Sequence, residues 1–414
     1  MQHYSNRRYR DLRIVGTHHS ACYEIDGRDT LKSSFSKVSF LAKTIPGVSS
    51  IFSSWSRCQK RNINAQLRMG VRYFDIRLAY AYKRIHVSHS CRGPELKNVL
   101  NDFVKFYADG SRNSEVIVIR FRPDVGNKKT MVSDEAKKAF RDIIQNHEIS
   151  KYINTIENPF EKPLSALSKK PIVVIYNHGL EAKFMGFGHH VPRYFNHWLR
   201  TNQIPILHER MIEAIETVSK EQKHFPLTVC QNILTPNANT IILSVLYRTL
   251  LCVILPVFVL IYVVLWITST DKCKSSVMPH LMIGSPTLIL ILLRILFSPR
   301  WSLLDETSKL VSRSFVNKFC HPSANSDFNV ITVDNVQSEF CLKVIRLNED
   351  VDSSSKELSK ESDNNGNNSV TAADAIGVGV VTPSLRSTNV SSNAASVTPT
   401  TMHTSITNTS TITP

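Results

Sequence analysis

The chain has 414 residues, enough for one large domain or two ordinary ones. Hydrophobic residues make up 42%, slightly low for a globular chain, and the formal net charge of +16 draws the folded part toward anionic surfaces. Anionic lipid and nucleic acid both fit that charge, but no zinc-ligand cysteine pair, basic helix or aromatic RNA-binding signature favours nucleic acid, so none is expected as a partner.

The eight cysteines are scattered, with no CxxC, and suit a reducing compartment better than a disulfide-built secreted domain. The N-terminal MQHYSNRRYRDLR lacks an apolar core, so no signal peptide is expected.

From Asp11 to about Gln231, short apolar runs alternate with polar helical stretches: LRIVG, VRYFDIR, RIHVSH, EVIVIRF, PIVVIY and PLTVCQNI. Near-continuous Val and Ile in the strands, with helices between, predict a parallel α/β sheet covered on both faces. Six such units favour a closed barrel over a small open sheet.

Two apolar segments follow, 249–268 and 281–297. The first has the length needed to cross a hydrocarbon core about 30 Å thick, the second stands at the lower limit, and a helical hairpin is predicted. A strand (FNVITVD) and a helix then return, and the chain after 350 is rich in Ser, Thr and Asn with no period, which predicts disorder. The expected organisation is therefore a first barrel portion over 1–236, two membrane helices within 237–298, a closing strand and helix over 299–350, and a tail over 351–414. Basic residues flanking the hairpin place the barrel on the cytosolic side of a multi-pass membrane protein, although Asn-x-Ser sequons at Asn367, Asn389 and Asn408 argue the other way.

Four pieces of this pattern offer chemistry. Gly16-Thr17-His18-His19-Ser20 follows a strand, where barrel active sites lie. The strand YFDIR ends on Arg77, which needs an anion or a salt bridge to meet it. In IHVSH the alternation sends His86 and His89 to opposite faces, so one of them alone can reach a site. Asp334 closes the late strand VITVD. Two histidines, an arginine and a carboxylate suit in-line phosphoryl transfer without a metal: one imidazole takes a proton, another gives one, and a guanidinium meets the phosphate oxygens.

These residues resemble the phosphatidylinositol-specific phospholipase C family, within it the metal-independent branch with the X-domain-containing proteins. The resemblance runs from about Asp11 to Leu234 and resumes from Phe328 to Asn348, on GTHHS, QLRMGVRYFDIRL, IHVSH, SEVIVIRFR and NVITVDNV…FCLKVIRLN. It implies a distorted, incomplete TIM-like barrel, interrupted here by the hairpin, and a phosphatidylinositol-type lipid as substrate, with no cofactor. It further implies His18 as general base, Asp334 as its orienting carboxylate, Arg77 on the phosphate and His89 as general acid. His19, Arg122, Tyr176, Asn177 and Tyr194 are the implied substrate-pocket residues.

Two positions depart from the family pattern. Arg77 occupies what is an acidic metal-ligand position in calcium-dependent relatives, so no metal is expected. His19 stands where the bacterial enzymes keep an Asp that supports the acid histidine, which opens a second reading: a catalytically impaired lipid-binding or scaffold protein on the same barrel. A third, a metal-dependent glycerophosphodiesterase with His18, His19 and His89 as ligands, ranks last for want of carboxylates.

Overall fold

The computed structural model describes residues 4–30, 48–110, 115–124, 131–176, 188–190, 194–197, 201–221, 226–235, 303–319 and 328–349, with isolated positions between them. The chain divides into two units, Met1–Lys360 and Glu361–Pro414, and the second lies outside the described residues.

The runs of β-branched and aromatic residues form strands, as side chains that pack well on a pleated surface do. In chain order these are β1 (Ile14–Thr17), β2 (Asp26–Thr30), β3 (Tyr73–Ala81), β4 (Arg84–His89), β5 (Cys91–Glu95), β6 (Ile117–Pro123), β7 (Ile172–Tyr176), β8 (His189–His190), β9 (Tyr194–His197), β10 (Leu227–Gln231) and β11 (Val330–Val333). The helices are α1 (Val48–Ser56), α2 (Ile63–Arg68), α3 (Leu96–Ala108), α4 (Asp134–Asn146), α5 (Leu164–Leu167), α6 (Ile204–Glu221) and α7 (Leu303–Phe319), with a further helix over 338–349. Side-chain caps fix two of the starts: Asn62 accepts from the Ala65 amide before α2, and Ser133 from the Ala136 amide before α4.

Parallel pairing runs β8–β7–β6–β3–β1–β11–β10–β9. Two expectations are corrected. Among the described residues no pairing joins β8 to β9, so the sheet is open there instead of closed; β8 has only two residues with which to form a ladder. The IHVSH strand is also not a parallel member. It is β4, folded back antiparallel on β3 through Tyr82 and Lys83, whose φ values of 53° and 58° fit a two-residue type I′ turn.

Alternation sorts the core. Ile14, Tyr73, Val118, Val173, Ile175, Leu227, Val229 and Val330 share one face and one apolar cluster, closed at its lower end by Tyr9, Leu12 and Phe160. Val15, Phe74, Ile119, Val174, Cys230 and Ile331 take the opposite face and pack with Phe103 of α3, Phe140 of α4 and Met211 of α6. The first face therefore turns away from α3, α4 and α6 and is the inner one, with Leu164 and Leu167 of α5 at its end.

No helix among the described residues is long and apolar enough to cross a membrane. The predicted hairpin lies almost wholly outside the described residues. Within its first run Val257, Leu260, Ile261 and Val264 are described as helical and exposed, at the spacing of one helix face.

Candidate active site

Following the inner face upward, polar side chains take over from apolar ones. Gly16 pairs with Tyr73 on one side and Thr332 on the other, Asp75 pairs with Arg120, and two residues later along each strand come His18, Arg77, Arg122 and Asp334. Gly16 is needed at its level. A Cβ there would sit 2.7 Å from Thr332 Cγ2 and 2.9 Å from Tyr73 Cδ1, so β1 fits between β3 and β11 only without a side chain.

His18 is buried, and both of its ring nitrogens are engaged. Nδ1 lies 2.9 Å from Asp334 Oδ1, and Nε2 lies 3.3 Å from Arg77 Nη2. A guanidinium can only donate, so the pair of contacts selects the neutral ring with its proton on Nδ1 and its lone pair on Nε2. Burial lowers the His18 pKa against the opposing pull of Asp334, which favours the same neutral form.

The β3–β4 hairpin brings the second histidine back to this level. Leu78 pairs with Val87, and one further step along that register sets Ser88 level with Arg77, with His89 next to it. His89 Nδ1 lies 3.1 Å from the Ser56 carbonyl and 3.4 Å from Cys58 Sγ. Burial and the nearby Arg77 lower its pKa to about 4, with Asp124 pulling the other way.

His19 sits between the two. Its backbone is left-handed (φ 43°), and its ring centroid lies 4.1 Å from that of His18 and 4.0 Å from that of His89. Burial and then Arg77 hold its pKa well below the usual histidine range, and Nε2 has no hydrogen-bond partner. His19 is thus a neutral aromatic wedge and supplies no negative charge to His89.

Asp75 does not supply it either. Its Oδ2 accepts from Arg122 Nη2 at 2.7 Å and its Oδ1 lies 3.7 Å from Arg120 Nη1, all buried. Burial pushes its carboxyl up, but Arg122, Arg120 and Arg77 outweigh that and hold it well below the usual carboxylate range. Burial and Arg122 bring Arg77 down to about 10, so it stays a cation at neutral pH. Arg77, Arg120 and Arg122 thus gather about Asp75, and this side of the pocket can meet an anion.

The other predicted pocket residues fare differently. Tyr176 is corrected: it packs against Phe121 (6.4 Å between centroids) and Phe140 (6.1 Å) on the helix-covered face, because its place in β7 has the outward parity. Asn177 and the side chain of Tyr194 lie outside the described residues.

Three contributors were not foreseen from sequence. Gln59 donates to the carbonyls of His18 and Val333, both at 3.0 Å, and accepts from the Val336 amide, tying the end of β1 to the end of β11. Cys58 contacts His89, and Asp124 braces the end of β4, its Oδ2 accepting from Ser88 Oγ at 3.0 Å and the Ser90 amide at 3.1 Å. All three stand in loops with no motif of their own.

Among the described residues one group has candidate metal-ligand atoms within 4.8 Å of one another: His18, Cys58 and Asp334, not the three histidines of the metal-dependent reading. It fits a cation poorly. His18 and Asp334 are bonded to each other, burial pushes the Cys58 thiol pKa well up, and the Arg77 guanidinium lies against His18.

No protein-family model matches the chain. It is 26% identical over 172 residues to a PI-PLC X-box domain-containing protein of Dictyostelium discoideum (42% of this chain, 21% of that one). It is 27% identical over 210 residues to the variant-surface-glycoprotein phospholipase C of Trypanosoma cruzi (47% and 53%), and 39% identical over 99 residues to a second Dictyostelium PI-PLC X domain-containing protein (23% and 16%). The chain thus spans about half the length of the trypanosome relative and about a fifth of the Dictyostelium ones. Among solved structures it is similar to the phosphatidylinositol-specific phospholipase C of Listeria monocytogenes, at 13% identity and a TM-score of 0.47, over 83% of this chain and 95% of that one. In sequence, the chain resembles the phosphatidylinositol-specific phospholipase C X-domain proteins.

Proposed function

We propose that the chain is a phosphatidylinositol-specific phospholipase C-like phosphodiesterase, cleaving an inositol phospholipid to diacylglycerol and a cyclic inositol phosphate without a metal. The observation that carries this reading is the His18 ring, held in its basic tautomer by Asp334 and facing an arginine cation. The named activities of the sequence relatives support it.

In this mechanism His18 Nε2 takes the proton from the inositol 2-hydroxyl. That oxygen attacks phosphorus as the bond to the diacylglycerol oxygen breaks, and His89 protonates the leaving oxygen. Arg77 turns from His18 to the non-bridging phosphate oxygens, where its fork meets the charge that builds there. Arg122, paired with Asp75, lines the pocket for the inositol ring. The free protein keeps His89 largely neutral at pH 7. An incoming phosphodiester anion beside Arg77 offsets that cation and favours the imidazolium the acid step requires.

The wedge of His19 favours a second reading, an impaired lipid-binding protein on the same scaffold, since no carboxylate occupies that position. Hydrolysis of phosphatidylinositol vesicles with and without a chelator separates the readings. Chelator-resistant release of diacylglycerol supports the enzyme, binding without release supports the second reading, and chelator-sensitive turnover overturns the metal-free mechanism.

The two apolar runs support attachment of the barrel to the bilayer that holds its substrate. Retention on membranes through a high-salt wash is the expected result; release by salt alone would make the attachment electrostatic.

A further inference from the structure

We propose that Asp124 is a positioning residue for His89, the carboxylate that fixes the proton donor in place and counters the charge of Arg77 there, a role that neither His19 nor Asp75 fills. This rests on the reading of His89 as the general acid.

The geometry is specific. The Asp124 amide donates to the Leu78 carbonyl at 2.8 Å, which pins its backbone to β3 just beyond Arg77. One oxygen of its carboxylate then holds the residues on both sides of His89: the Ser88 hydroxyl and the Ser90 amide. Ser90 has a left-handed backbone (φ 66°), so the chain turns sharply after His89 into β5, and the carboxylate closes that turn. The carboxylate is buried, and its second oxygen has no hydrogen-bond partner. A buried carboxylate with half of its accepting capacity idle is costly unless nearby positive charge compensates it.

That compensation lies across His89. The groups facing the ring are Arg77 from β3, His18 and His19 from the loop after β1, the Ser56 carbonyl at the end of α1, Cys58 just after it, and Asp124. Of these, Arg77 and His18 disfavour the imidazolium, the buried thiol is neutral, and the negative charge of Asp124 favours it. The loop thus carries its own counter-charge two strands away from the position where the resemblance led one to look.

The test is the titration of the His89 ring by NMR in the full chain, with His89→Ala identifying its signal and circular dichroism checking the fold. Asp124→Asn keeps the shape and an accepting oxygen but loses the charge; Asp124→Ser is a second neutral variant should the first not fold. Either should move the His89 midpoint down by about one pH unit, the scale of a single partly screened charge. Ser88→Ala, which removes one brace and keeps the charge, should leave the midpoint within a few tenths of a unit. In turnover, the alkaline limb of the kcat profile should shift acidward by the same amount in Asp124→Asn, with KM nearly unchanged. An unmoved midpoint in folded neutral variants, or an equal shift in Ser88→Ala, overturns the proposal. A parent that shows the titration but releases no diacylglycerol refutes the enzyme reading instead and leaves the Asp124–His89 coupling standing.

Discussion

His18 and Asp334 stand 316 residues apart in the chain and 2.9 Å apart in the site. The pairing exists because β11 enters the sheet between β1 and β10, in register Ile14 with Val330, so Thr17 and Val333 end level and the next residue of each meets the other. Asp334→Asn preserves this shape. Its amide can donate to Nδ1, which would then carry the lone pair and leave the proton on Nε2, the wrong tautomer for a base. A loss in kcat of about 10²- to 10⁴-fold with little change in KM is expected. A near-normal kcat in the folded variant would show that Asp334 does not set the tautomer.

Arg77 is assigned two successive partners, His18 in the free site and the phosphate during reaction. Lysine keeps the charge but has no fork, so it cannot hold two phosphate oxygens in one plane. Arg77→Lys should lower kcat far more than it raises KM, by about two orders of magnitude or more. Small, equal effects on both constants would make the arginine structural.

Much of this site is readable from sequence because strand parity is a strict rule. His18 and Asp334 each follow an apolar strand and Arg77 lies within one, all at positions that face inward, and their local words (GTHHS, FDIR, VITVD) show it. Parity fails the reader only where it is not applied: the same count along IVVIY turns Tyr176 outward into the core. Long-range partners are a different matter. Nothing in FRPDV tells that Asp124, just past Pro123, reaches the end of β4, and nothing around Cys58-Gln59 tells that this loop ties β1 to β11. Nor does alternation of strands and helices reveal that the sheet stays open between β8 and β9.

His19 tests what the site lacks. Its left-handed backbone is one that aspartate tolerates well, and its ring lies against that of His89. His19→Asp would put a carboxylate beside the proton donor. With the His89 midpoint near 4, each unit of upward shift raises the protonated fraction at neutral pH about tenfold. A gain of roughly tenfold in turnover near pH 7 is expected, with the alkaline limb moved upward, measured from pH 5 to 8 beside the parent. An unchanged profile, with both proteins active, would show that the wedge takes no part in the chemistry.

The same histidines make stability depend on pH. His18, His19 and His89 all have native pKa values below the ordinary 6.5, so below that pH the unfolded chain binds more protons than the native one. Their contribution is fully present above about pH 6.5 and is lost as pH falls toward the native values. For His89 alone, moving from pH 6.5 to 5 costs about 2 kcal/mol, so the Tm should fall over that range. Inositol phosphate, as an anion in the pocket, should reduce the fall. A Tm that stays level or rises between pH 7 and 5 would mean that these rings are not held neutral.

The central claim is that two histidines, without a metal, carry the reaction, and the most direct measurement is phosphatidylinositol hydrolysis in chelator by the parent, His18→Ala and His89→Ala, each verified as folded. Parent turnover with a loss of at least about a hundredfold in each variant is the predicted result. A folded His18→Ala or His89→Ala protein that releases diacylglycerol at close to the parental rate would contradict it.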